Sequence, residues 1–352
     1  MLRLGLSFHL LCALSAAALG ASAAGALCRD VAAPVALAEG QAADQQISAR
    51  LCEPGTNGAS ARTLLVLVHG ITYDRNYWDI PDPTGHTDRY SFVSAALKAK
   101  FSTLSVDRIG AGQSSHPLSA LVTIDSNAHT VHRLIQAVRS GAIRRAGGGA
   151  FERVVLVGHS YGSWTTWFEA TRYDDVDAVV LTGATHGLTT VNAPYIVVPG
   201  LYPAALDPRF GPLSGLDPGY LTTQPGTRYH AFYEPAEVDP AVVAYDEMTK
   251  GTVTSAEIQT YPLILDEPLD IRVPVFLTIG ELDTLFCGPA LGGAPCASEE
   301  ELIAFEGPHL GPNVPSIDAY ILPAAGHDMN PMLNARLYFA AVLDWVKATI
   351  VP

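Results

Sequence analysis

Apolar residues in this chain gather in short unbroken runs separated by amphipathic stretches. The first clear run, Leu64-Leu65-Val66-Leu67-Val68, leads straight into His69-Gly70. Continuous Leu and β-branched residues over such a length predict a strand buried on both faces. Ser91 to Lys98 reads as a helix and Thr103 to Val106 as the next strand. Ser126 to Ser140 follows as a helix, with Val131, Leu134, Ile135 and Val138 on one face. Val154 to Val157 is a strand, Ser163 to Thr171 a helix, and Ala178 to Leu181 a strand. The unit returns near the end as strand Val275–Thr278, helix Glu299–Phe305, strand Tyr320–Leu322 and helix Asn334–Thr349. Strands alternating with helices predict an α/β fold: a mostly parallel, doubly wound sheet with helices on both faces.

The alternation stops between about Thr185 and Val273. That span holds 11 of the 25 prolines and 7 of the 14 tyrosines. Proline at this density works against long helices and strands. One helix is still expected, with Asp239 as its cap and Pro240 at its first position, running to about Lys250. A short one should start near Ser255. A long irregular insertion is either a functional lid or a packed excursion, and over residues 186–273 the lid reading is preferred. Its tyrosines would form an aromatic substrate wall or pack the lid itself. With no repeat and no second core, residues 28–352 count as one domain.

The first 27 residues carry a different pattern. Arg3 precedes an apolar run through Leu10, Leu11, Ala13 and Leu14, which gives way to small residues up to Ala26. This predicts a secretory leader over residues 1–27, cleaved after Ala23 or after Ala26. A retained membrane anchor is the alternative, since the run approaches spanning length. No other stretch is apolar enough to span, so the mature chain is expected outside the cytoplasm: secreted, periplasmic or associated with the cell wall.

Removing the leader removes Cys12 and leaves Cys28, Cys52, Cys287 and Cys296. An even count in an exported chain predicts two disulfides. Of three possible pairings, the local ones, Cys28–Cys52 and Cys287–Cys296, are preferred. Zinc is the poorer reading, because no C-x-x-C or clustered Cys/His spacing appears. With 21 basic against 35 acidic residues and a net charge of −14, the chain has no basic surplus for nucleic acid. No cofactor is called for.

The chemistry gathers at strand ends. Gly158-His159-Ser160-Tyr161-Gly162 is the only G-x-S-x-G, and it joins a buried strand to a helix. Such a bend needs small residues on either side of the serine, whose hydroxyl it lifts toward the positive end of the helix. Gly280-Glu281-Leu282-Asp283 follows one late strand and Ala325-Gly326-His327-Asp328 the next. His69-Gly70-Ile71-Thr72 follows the first strand, and Asp107 to Ser114 follows the second.

These five landmarks, in this order from about residue 64 to 350, resemble the α/β-hydrolase fold superfamily, of the esterase and lipase type. The N-terminal arm and the lid lie outside the resemblance. It implies a serine hydrolase in which His327 takes the proton of Ser160 as the hydroxyl attacks, and Asp283 holds the imidazole. Glu281 is the rival acid, two positions away. Backbone N–H groups of Ile71 and Tyr161 would meet the oxyanion, each worth about 3–4 kcal/mol, and Thr72 would add a side-chain donor. Asp107 and Arg108 would brace a turn. His69, His159, His129 and His132 are read as structural or surface residues; His186 and His230, at or in the lid, either contact substrate or, the preferred reading, pack there.

Serine at the elbow disfavours the epoxide and haloalkane members, which carry aspartate there, and the dienelactone members, which carry cysteine. The implied reaction is hydrolysis of a small carboxylic ester or lactone through an acyl-serine. A prolyl-type peptidase is the alternative, although its elbow commonly reads Gly-Gly-Ser-Trp-Gly. A non-catalytic binding protein and a lyase or haloperoxidase on the same residues also remain open.

Overall fold

The computed structural model describes residues 26–55, 58–85, 87–197, 200–211 and 215–351. The expected leader lies almost wholly outside these residues. The chain begins with two antiparallel strands, β1 (Leu27–Val35) and β2 (Gln45–Glu53), absent from the sequence reading. Their apolar runs are short and interrupted by charge, and β1 contains Pro34, tolerated because β1 is the edge strand. Cys28 pairs in register with Cys52, which puts the two Cα atoms 4.1 Å apart and the first disulfide across the hairpin. Cleavage after either Ala23 or Ala26 would leave β1 whole.

The core then follows the apolar runs. β3 (Thr63–Val68), α1 (Phe92–Lys98), β4 (Ser102–Asp107), α2 (Ile124–Arg139), β5 (Arg153–His159), α3 (Tyr161–Tyr173) and β6 (Ala178–Thr182) come in sequence. Ser91 caps α1, and Thr123 with Ser126 forms a capping box on α2, so that helix starts two residues before the expected point.

The segment between β6 and the next core strand is more regular than expected. It contains α4 (Asn192–Val197), β7 (Leu201–Pro203), β8 (Tyr220–Thr223), α5 (Thr227–Phe232), α6 (Pro240–Thr249), β9 (Val253–Thr254) and α7 (Ser255–Asp266). The three strands form a small antiparallel sheet of their own, in the order β7-β8-β9. Proline therefore shortens the elements here without abolishing them. The helix capped by Asp239 and the one beginning at Ser255 stand where the sequence puts them, although α7 runs for 12 residues.

β10 (Val275–Gly280), α8 (Glu299–Glu306), β11 (Ile317–Leu322) and α9 (Ala335–Ile350) complete the fold. The main sheet has eight strands in the order β1-β2-β4-β3-β5-β6-β10-β11, parallel from β4 to β11, with β2 antiparallel to both its neighbours. Every residue of β3, β4, β6 and β10 is buried. β3, β6 and β10 accordingly read as mainly apolar runs, whereas β4 buries Ser102, Thr103, Ser105 and Asp107 alongside Leu104 and Val106. α2 packs with α3, and α1 with α9. Among the described residues, no helix is long and apolar enough to cross a membrane.

Candidate active site

The C-terminal ends of β3, β5, β10 and β11 converge on one cavity. β5 ends at His159 and α3 begins at Tyr161, so Ser160 alone makes the turn, with φ 54° and ψ −122°. A non-glycine residue held there stores about 1–3 kcal/mol of strain. Two glycines make the turn possible by close approach. A Cβ on Gly158 would lie 2.4 Å from the Gly162 carbonyl oxygen, and one on Gly162 would lie 2.2 Å from the Val68 carbonyl oxygen. The Ser160 N–H donates to the Thr182 carbonyl at 2.8 Å, tying the elbow to β6.

The other two candidates meet beside it. His327 Nδ1 donates to Asp283 Oδ2 at 2.9 Å, and both side chains are buried. Asp283 Oδ1 accepts from the N–H groups of Leu285 at 2.9 Å and Phe286 at 3.3 Å. Glu281 instead is exposed and accepts from the Ala324 N–H. Burial pushes the His327 imidazole down, but the charge and hydrogen bond of Asp283 outweigh it, and its pKa stands above the ordinary 6.5. The ring lies between Phe232 and Phe286, with centroids 5.6 and 5.5 Å away. The second disulfide, Cys287–Cys296, closes the loop that begins just after Asp283.

Ser160 and His327 both line a cavity with about 540 Å³ of empty space, part of it open to solvent. Its walls are mainly apolar. Trp164, Leu285 and Phe286 come from the core, while Leu188, Ala193, Ile196, Phe232 and Ile258 come from the segment between β6 and β10. Ile71 and Tyr161 complete it. Among the described residues, neither the Ile71 nor the Tyr161 N–H donates to a protein acceptor. Thr72 departs from expectation: it is buried outside the cavity lining, and its Oγ1 accepts from Arg228 Nη1 at 2.9 Å.

Of the two readings of the insertion tyrosines, substrate wall or lid packing, the described residues favour packing: none of these tyrosines is among the described residues lining the cavity. Tyr202 donates to Asp207, Tyr220 to the Pro117 carbonyl and Tyr233 to Asp246, while Tyr195 is exposed. His186 is held by Glu306 at 2.8 Å and stacks on Trp167, and His230 is exposed. Arg108 is buried and clamps the loop after β3 by donating to the carbonyl oxygens of His69 and Gly70, with Asn127 and Glu257 as further partners. Asp107 accepts from the N–H groups of Arg75 and Gln113, closing the next turn.

A network behind His327 is invisible in the sequence. His159 Nε2 donates to Asp328 Oδ1 at 3.0 Å, and His159 Nδ1 is 3.1 Å from Thr182 Oγ1. Tyr73 donates to the other oxygen of Asp328. Tyr73 also reaches Asp246, which Arg228 binds through two nitrogens at 2.7 Å each. Burial pushes His159 below the ordinary imidazole value despite Asp328. Asp328 sits beside His327, but its partners are 169 and 255 positions away. His159, His327 and Asp328 do present possible metal-ligating atoms within 4.8 Å of one another. Asp328, however, already accepts from His159 and Tyr73, and His327 already donates to Asp283, so the cluster is filled by its own hydrogen bonds.

The profile of the alpha/beta hydrolase family matches residues 65–342, and the chain belongs to that family of hydrolases. Solved structures show the same fold at low identity. A methylesterase from Arabidopsis is 16% identical, with a TM-score of 0.53, over 81% of this chain and 99% of that one. An alpha/beta hydrolase fold protein from Chitinophaga pinensis is 14% identical, with a TM-score of 0.55, over 87% of this chain and 94% of the other. A monoacylglycerol lipase from Paleococcus ferrophilus is 18% identical, with a TM-score of 0.50, over 81% of this chain and 94% of the other. No curated protein sequence matches the chain significantly.

Proposed function

We propose that the protein is a serine hydrolase that cleaves a small carboxylic ester or lactone through an acyl-Ser160 intermediate. The observation that carries this reading is the buried Asp283–His327 pair opening onto the same apolar cavity as a serine held at a strained elbow. His327, with Nδ1 committed to Asp283, has Nε2 left to take the Ser160 proton and then to protonate the leaving group. Asp283 keeps the tautomer and stabilises the imidazolium. The N–H groups of Ile71 and Tyr161, with no acceptor among the described residues, are the donors for the oxyanion.

An apolar wall favours an acyl or aryl group over a charged one. The segment carrying α4 to α7 supplies part of that wall and acts as the lid over it. Similar structures include a methylesterase and a monoacylglycerol lipase, both ester hydrolases by name. The two disulfides and the leader-like first residues fit action outside the cytoplasm.

The test is turnover of a p-nitrophenyl ester series of increasing chain length by wild type and Ser160→Ala. Wild type should hydrolyse short esters and Ser160→Ala should not. Wild-type inactivity on every ester and lactone, with amides cleaved instead, would move the assignment to a peptidase.

A further inference from the structure

A second histidine–carboxylate cluster lies between α2 and α3. His132 on α2 places Nδ1 2.8 Å from Asp175 Oδ2, in the turn after α3, and 3.8 Å from Glu169 Oε1 on α3. One ligating atom from each residue falls within 4.8 Å of the other two. Glu169 is fully buried, and among the described residues neither of its oxygens has a hydrogen-bond partner; Asp175 Oδ1 lacks one as well. A buried carboxylate left in that state is costly unless something else compensates it. Around it the cluster is rigid. The Tyr173 ring stacks on His132 with centroids 3.8 Å apart, and Arg139 donates twice to the Asp175 carbonyl.

We propose that His132, Glu169 and Asp175 form a binding site for a divalent transition-metal ion, with zinc the best fit. Imidazole nitrogen and carboxylate oxygen are both zinc ligands, and three protein ligands with a water in the fourth position is an established zinc arrangement. Bonds of 2.0–2.1 Å to a tetrahedral ion put its ligands about 3.3 Å apart, and the two observed separations bracket that value. Two carboxylates and a neutral imidazole sum to −2, which a divalent ion cancels. Calcium and magnesium fit less well, since they prefer oxygen ligands throughout. His132 and Asp175 retain side-chain exposures of 11% and 18%, giving the ion a path from solvent and a water its fourth position.

Such an ion joins α2 to the helix whose first turn follows Ser160, so it stabilises the fold without touching the cavity. In its absence protons meet the same demand. Burial pushes Glu169 up to about 8, and for His132 the hydrogen bond to Asp175 and the nearby Glu169 carboxylate overcome burial and hold it at about 9.

The experiment is calorimetric titration of the EDTA-dialysed full chain with zinc chloride, with thermal unfolding and cobalt(II) visible spectra in parallel. One zinc per chain, a raised Tm and tetrahedral cobalt bands are expected in wild type. Glu169→Gln and His132→Gln should each weaken zinc binding at least about 100-fold, because a lost ligand exceeds the 10–100-fold typical of an outer partner. Fluorophosphonate labelling of Ser160 should be unaffected by stoichiometric zinc. Absence of zinc binding and of cobalt bands in wild type would overturn the proposal and leave a carboxyl pair sharing a proton. Unchanged affinity in Glu169→Gln, with labelling blocked by zinc, would overturn it by putting the ion at His159, His327 and Asp328. Should either variant fail to fold, wild-type cobalt bands with Ser160 labelling unaffected by zinc support the proposal, and bands with labelling blocked overturn it.

Discussion

Two buried histidines lie with ring centroids 5.0 Å apart, each bound to an aspartate, and their pKa values move in opposite directions. His327 commits Nδ1 to Asp283 and lines the cavity beside Ser160. His159 uses both nitrogens within the protein, on Thr182 and Asp328, and stacks on Tyr77 at 4.3 Å. Burial works against the charged form of both. It is outweighed at His327 by Asp283, and it prevails at His159, where the neighbouring His327 adds repulsion. A carboxylate neighbour alone therefore does not make a general base. A nitrogen left for the substrate side and a charge that outweighs burial are both needed.

The sharpest way to break this comparison is to remove each histidine in turn. His327→Gln should lower kcat/KM about 10⁴- to 10⁶-fold, the range found when the base of such a triad is lost. His159→Gln should cost no more than about 100-fold, acting through the position of His327. Steady-state kinetics on a short ester separates the two, and equal losses would erase the distinction.

Next in size are the acids. Asp283→Asn should lower kcat about 10⁴-fold by favouring the wrong tautomer. Glu281→Gln should stay within a few-fold, since Glu281 is exposed and accepts from the Ala324 N–H. Asp328→Asn sharpens the contrast further. It leaves His159 and Tyr73 competing for one oxygen, which costs about 1–3 kcal/mol of stability in a denaturant melt. It also removes a charge that helps to raise His327, so the acid limb of kcat/KM should move to lower pH.

The smallest expected effect is a displacement along the pH axis in the wild type. In the proposed mechanism the active form has His327 neutral, so kcat/KM should fall as pH drops through the folded pKa. Because that pKa is raised, the inflection should lie above the ordinary imidazole value of 6.5. A profile flat to well below that value would remove His327 as the base.

Much of this architecture is legible in the sequence, and the reason is local. Strands β3, β5, β6 and β10 are buried on both faces, so each appears as a mainly apolar run whatever its partners are. Ser160 and Asp283 stand just after two such runs and His327 just after the partly buried β11, and strand order directs attention to all three. The features that escape reading depend on distant partners or on very short elements. β7, β8 and β9 have 3, 4 and 2 residues, too few to carry a period. β1 and β2 are hidden by their mixed composition. The tyrosines of the insertion suggest a substrate wall by type, yet the hydroxyls of Tyr202, Tyr233 and Tyr220 are spent on Asp207, Asp246 and a backbone carbonyl. The bond between His159 and Asp328 spans 169 positions, and no spacing rule anticipates it.

The most direct test of the central claim is the rate of fluorophosphonate labelling at Ser160 in wild type, His327→Gln and His159→Gln at one mildly alkaline pH. Wild type should label rapidly, His159→Gln should keep most of that rate, and His327→Gln should lose nearly all of it. Labelling of His327→Gln at the wild-type rate, in a protein shown to be folded, would mean that His327 does not activate the serine.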